Sequence, residues 1–141
     1  MRARRYRLRM GSGDLMVVEA WHEAVNGRDS SRLRDLSAPD VEIVGPRGSG
    51  RGGQVLEAWL QRAGLTLTPR RWFCGGDGRV VVEQWATWRS PVTGTVLGAQ
   101  EVATRYQIDG GVVIAFERHD DLAAALAAAD LAVGDEVTAR A

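Results

Sequence analysis

Three stretches between Arg79 and Asp120 alternate apolar and polar residues, and the three alternations agree. In the first, Val80, Val82, Gln84, Ala86 and Trp88 oppose Arg79, Val81, Glu83, Trp85, Thr87 and Arg89. In the second, Val102, Thr104, Tyr106 and Ile108 oppose Glu101, Ala103, Arg105 and Gln107. In the third, Val112, Ile114, Phe116, Arg118 and Asp120 oppose Val113, Ala115, Glu117 and His119. Side chains of a strand point to opposite faces with period two, so each stretch predicts a strand with one apolar and one charged face. Ser90-Pro91-Val92-Thr93-Gly94 and Asp109-Gly110-Gly111 supply the turns of a meander. Its apolar face must be covered by the rest of the chain.

The preceding residues supply that cover. Leu15, Val18, Trp21 and Val25 follow helical spacing from Asp14 to Asn26, with Asp14 as cap and Asn26-Gly27 as a left-handed end. A short helix fits Ser30 to Leu36, and Ala38-Pro39-Asp40 ends it. Val41 to Val44 reads as a strand. A Gly-rich loop, Arg47 to Gly53, leads into a helix from Gln54 to Ala63 striped by Val55, Leu56, Trp59 and Leu60. Leu65 to Cys74 is a strand with a break or bulge near Pro69, and Leu122 to Leu131 is an Ala-rich helix. Helices followed by an antiparallel sheet define an α+β class, a curved antiparallel sheet wrapped around N-terminal helices. The expected organisation is a disordered basic tail (1–13), one α+β domain (14–132) and a frayed end (133–141).

Charge narrows the partners. Basic and acidic residues number 18 each, every cation being Arg, which reads as genome composition. Five of those arginines fall in residues 1–13, so 13 cations face 18 acids in the body, about −5. An acidic body argues against nucleic acid as a partner. The basic tail reads as disordered, or as a segment ahead of a true start at Met10 or Met16. No apolar run suits a membrane helix or a secretory signal. Cys74 is the single cysteine, in keeping with a cytoplasmic location.

The candidate site comes from polar residues on apolar faces. Gln84, Thr104, Arg118 and Asp120 share a face with Trp88, Tyr106 and Phe116. If that face is concave, they converge on a pocket walled by Trp21, Trp59, Trp88 and Tyr106, the usual form of a small-molecule site. Arg118 needs an anionic ligand there, or else pairs with Asp120 or Glu19. Asp120 is a general-base candidate, although Asp120-Asp121 before a helix also reads as a cap. No cysteine, histidine or carboxylate cluster has metal-ligand spacing, and no cofactor is expected. Gly48-Ser49-Gly50-Arg51-Gly52-Gly53 matches a dinucleotide fingerprint in letters only, because the sheet downstream is antiparallel. His22 reads as a partly buried helix residue and His119 as outward-facing.

The run from Trp21 to Asp29, then Leu33, Leu36 to Val41, Thr93-Gly94, Asp109 to Val113 and Phe116 to Asp120, resembles the nuclear-transport-factor-2-like superfamily, SnoaL-like branch, over roughly residues 14–131. The resemblance implies a cone-shaped α+β barrel and, commonly, a homodimer through the outer sheet face, for which Trp85 and Ala103 are suited. It implies a small-molecule pocket protein, either a cofactor-independent isomerase, cyclase or (de)hydratase, or a non-catalytic binding or dimerisation module. The family's catalytic positions fall on Gln84, Ala86 and Arg118 by the epoxide-hydrolase pattern and on Trp21 and Gly45 by the ketosteroid-isomerase pattern. None is a carboxylate or a tyrosine. Asp120, Tyr106 and Arg118 are therefore the catalytic candidates, and Trp21, Trp59, Gln84, Trp88, Thr104, Tyr106, Phe116 and Arg118 the pocket.

Overall fold

The computed structural model describes residues 2–45 and 48–137, with side chains described from residue 13 onward except that of Ala63. Its elements are α1 (Arg2–Asn26), α2 (Ser30–Asp35), β1 (Ser37–Gly45), β2 (Gly48–Arg51), α3 (Gly53–Ala63), β3 (Leu65–Cys74), β4 (Arg79–Arg89), β5 (Val96–Asp109), β6 (Val112–His119), α4 (Leu122–Ala129) and β7 (Glu136–Val137). One curved, unclosed seven-stranded sheet runs in the order β2-β1-β6-β5-β4-β3-β7. It is antiparallel except where β1 lies parallel to β6.

The concave face holds the main core. Leu15, Val18, Trp21 and Val25 of α1 and Leu56 and Leu60 of α3 pack on Val80, Val82, Ala86, Val102, Tyr106 and Phe116. Fully burying one such side chain is worth about 1.5–3 kcal/mol at most. Asn26 pins α1 to β3: its amide donates to the Leu67 carbonyl and accepts from the Leu67 N–H, both at 2.9 Å.

Several expectations need correction. α1 starts at Arg2, so residues 2–13 are helical and Asp14 lies within the helix instead of capping it. Arginine, alanine, leucine and methionine are good helix formers, and they outweigh Gly11 and Gly13. The left-handed residue after α1 is Arg28 (φ 56°), not Asn26 or Gly27. The Gly-rich stretch forms β2, an edge strand paired with β1, where a loop was expected. At the other end, Val133–Asp135 is a 3-10 turn and Glu136–Val137 pairs with β3, so 133–137 is ordered; the fraying expected for 138–141 falls outside the described residues. In β6 a bulge breaks the alternation. Gln107 pairs Ala115 but Ile108 pairs Val113, which puts Val113, not Val112 or Ile114, in the core. The bulge near Pro69 lies where expected, between Pro69 and Arg71.

The outer face has its own cover. Ala125, Leu126 and Ala129 of α4 pack on Phe73, Val81 and Ala103, and Ala103 is fully buried. Ala103 therefore cannot serve the interface expected of it. The alanines of α4 allow close approach to the sheet. Asp121 caps this helix, accepting from the Ala124 N–H at 2.8 Å. Arg79 donates to the carbonyls of Ala129 and Asp130 at its other end, where a cation opposes the helix dipole. Asp121→Ala should cost about 1 kcal/mol in chemical denaturation, whereas Asp120→Ala should stay within about 0.5 kcal/mol. Equal losses would mean that the cap is assigned to the wrong residue.

Candidate functional site

Four residues of the concave layer form a buried polar network. The His22 Nδ1 lies 2.8 Å from the Val18 carbonyl oxygen, which can only accept, so the proton sits on Nδ1 and Nε2 is a lone pair. Nε2 then accepts from the Gln84 amide nitrogen at 2.8 Å. The second amide hydrogen goes to the Tyr106 oxygen at 2.9 Å, and the Gln84 carbonyl accepts from the Thr104 hydroxyl at 2.8 Å. Burial pushes the His22 imidazole down to about 4, against the raising effect of its bond to Val18, so it is neutral near pH 7. Burial pushes the Tyr106 phenol up, so it keeps its proton.

Beside the network is an aromatic cage. The Trp21 ring meets Tyr106 and Phe116 edge-on at 4.9 and 5.0 Å between centroids, and Trp59 lies 5.9 Å away. A chamber of about 80 Å³ is walled by Trp21, Trp59, Ala86, Trp88, Phe116 and the Thr104–Arg118 cross-strand pair. It adjoins an open groove of about 960 Å³ that also includes Ser49, Gly50, Val55 and Arg62. Gly45, Trp59, Trp88 and Arg118 belong to both walls.

Arg118 stands where chamber and groove meet. Its guanidinium carbon is 5.2 Å from the Trp88 ring centroid, and one terminal nitrogen is 3.5 Å from Asp120. Both readings of this arginine thus have a counterpart: it is paired with Asp120, and it also faces the cavity. Its Nε is buried and has no partner among the described residues; the same holds for the Trp21 Nε1.

The sequence-derived residues divide into two groups. Trp21, Trp59, Trp88, Thr104, Phe116 and Arg118 line the chamber, while Gln84 and Tyr106 lie behind its wall with His22. Asp120 is 79% exposed and sits outside the apolar wall. The positions that the family patterns reserve for catalytic groups, Trp21, Gly45, Ala86 and Arg118, do line the chamber, but none carries a carboxylate. Sequence reasoning missed Arg62 and the role of His22. Arg62 follows Trp59 by three residues on α3, a spacing that places both on one helix face. Among the described residues no group of three or more histidine, cysteine or acidic residues could hold a metal, and no helix is long and apolar enough to cross a membrane.

The sequence pattern of the SnoaL-like domain matches residues 18–126. No curated protein matches the chain in sequence. Among solved structures, TerC co-crystallised with polyporic acid is 22% identical at a TM-score of 0.67, covering 84% of this chain and 98% of that one. A Catenulispora acidiphila protein of ketosteroid-isomerase-like fold, in complex with trimethylamine, is 23% identical at a TM-score of 0.64, covering 82% and 93%. A nuclear-transport-factor-2-like protein from Cytophaga hutchinsonii is 13% identical at a TM-score of 0.63, covering 74% and 87%. At such identities the likeness is one of fold. The matched span, the helices in the concavity of the sheet and these neighbours agree: the chain belongs to the SnoaL-like domain family, within the nuclear-transport-factor-2-like fold.

Proposed function

We propose that this protein binds a small, largely apolar molecule whose anionic or polar group is oriented by Arg118, with residues 14–132 as the functional unit. The observation that carries this reading is the Arg118 side chain, 27% exposed where the aromatic chamber meets the open groove. A hydrogen bond from such a guanidinium to an anionic group is worth about 1.5–3 kcal/mol. The groove adds Arg62 and no acidic side chain among its described lining, which favours an anion. TerC and the Catenulispora protein, each crystallised with a small molecule, support the use of this fold for such ligands.

Isomerisation, cyclisation or (de)hydration would need a group that takes and returns a proton. The described chamber wall offers a hydroxyl, three indoles and a guanidinium, with neither carboxylate nor imidazole. Binding is therefore favoured over proton-transfer catalysis. We also infer a homodimer through the part of the outer face that α4 leaves uncovered. Trp85 is 38% exposed there, beneath the Arg70 guanidinium at 5.4 Å, and Arg70 pairs with Glu101. A cytoplasmic setting fits the single cysteine.

Native mass spectrometry of the purified protein tests both readings. The expected result is a dimer carrying a small-molecule adduct. Arg118→Ala should lose the adduct and weaken binding about tenfold or more, as for a charge-assisted bond, with Tm within about 3 °C. Retention of the adduct by Arg118→Ala would sink the role of Arg118, and a monomer would sink the interface.

A further inference from the structure

Among the described residues Arg62 is the one arginine side chain without a partner. Each of the others is ion-paired or hydrogen-bonded within the chain, most of them to a carboxylate. Arg62 lies in the last turn of α3, where a cation suits the helix dipole. Yet it makes no bond to a terminal carbonyl of the kind that Arg79 makes at α4. Its neighbours one turn back are Ala58 and Trp59, neither of them an acid. The side chain is exposed and lines the open groove, as does Arg118. The half-buried indoles of Trp59 and Trp88 belong to the same lining. Gly48 and Gly50 of the edge strand β2 add bare backbone to it. A Cβ on Gly50 would lie 2.9 Å from the Val55 side chain, so β2 is seated close against α3.

We propose that the groove takes an aromatic dianion: a flat apolar body against Trp59 and Trp88, with one acidic group on Arg118 and a second on Arg62. This inference deepens the ligand-binding reading above and rests on it. The groove, about 960 Å³, is at the upper end of the roughly 300–1,000 Å³ of sites for drug-sized ligands. It therefore has space for a body that extends beyond the group held by Arg118. Half-buried indoles offer such a body flat apolar surface. Charge decides the rest. Two guanidiniums and no acidic side chain are found among the described lining. The acid paired with Arg118, Asp120, is 79% exposed and lies outside that lining. A monoanion on Arg118 leaves Arg62 without a counter-charge, whereas a second acidic group supplies one and suits the planar fork of a guanidinium.

The test is calorimetric titration of the full chain at pH 7 and low salt with the linear dicarboxylates of benzene, naphthalene and biphenyl, each beside its monocarboxylate. The best-fitting diacid should bind at least about fivefold more tightly than its monoacid, about twofold from having two equivalent ends and the remainder from the second ion pair. That margin should shrink as salt is added. Arg62→Gln should cut it to about twofold, the diacid losing far more affinity than the monoacid, with Tm within about 3 °C of wild type. Monoacid binding that depends on Arg118, with no diacid margin beyond about twofold or with a margin that survives Arg62→Gln, would overturn this inference and leave the ligand-binding reading standing. Failure of every probe to bind would also overturn it, and the adduct in native mass spectrometry would then decide the broader reading separately.

Discussion

Gln84→Leu should destabilise the fold by about 3–5 kcal/mol and lower Tm by about 10–15 °C, although leucine nearly matches glutamine in size. Gln84 is fully buried and makes hydrogen bonds to three side chains. Removing it strands the His22 lone pair, takes one donor from Tyr106 and takes the acceptor from Thr104. Each is a buried polar group that water served in the unfolded chain. Apolar burial gained by leucine offsets only part of this, because the site is already closed. His22→Leu in the same background tests the mechanism. If the cost is stranded polarity, removing both partners of the His22–Gln84 bond should cost less than the sum of the single changes, by about 0.5–3 kcal/mol. Urea denaturation of the four proteins measures this cycle. A Gln84→Leu protein within about 1 kcal/mol of wild type would mean that the network contributes nothing to stability.

The sequence made Gln84 visible but not its partner. A glutamine among Val82, Ala86 and Trp88 on an apolar face announces a buried polar group, and Thr104 and Tyr106 share that face in the next strand. His22 lies on a helix, and nothing in the helical repeat says which sheet row it meets. That is settled by how α1 docks, through contacts such as the Asn26 amide on Leu67. The bulge in β6 is silent for a similar reason: Val112, Val113 and Ile114 are all apolar, so inserting one unpaired residue leaves no mark on the pattern. Alternation also identified the outer face without revealing what covers it. Ala103 suits an interface with a second copy as well as it suits α4, and α4 is nearer in the chain. Arginine density in residues 2–13 suggests disorder, while the helical preference of the same residues points the other way, to the helix observed there.

Wild-type stability should fall as pH drops from about 6.5 to about 4, by about 3 kcal/mol in total. The imidazole of His22 is pushed down from 6.5 to about 4 by burial. Between those values the unfolded chain binds a proton that the folded chain refuses, so protons favour unfolding. The stabilising contribution is complete above pH 6.5 and is lost as pH falls through the folded value. Protonation would also put a hydrogen on Nε2, opposite the N–H that Gln84 already points at it. Two carboxylates act in the same direction lower down, and Asp14, raised by partial burial and by the nearby Asp77, acts in the opposite one. Asp77 and Glu136, held below their ordinary range by hydrogen bonds from Arg79 and Arg71, lose stability only as pH falls below about 4 to 4.5. The slope between pH 6.5 and 5 therefore reports His22. Urea denaturation of His119→Asn across this range leaves His22 as the one histidine in play, and NMR of its imidazole should show no titration until the pH nears 4. A stability that stays level from pH 6.5 to 5, or an imidazole that titrates near 6.5, would mean that water reaches His22 and that the polarity relayed through Gln84 to Thr104 is not fixed.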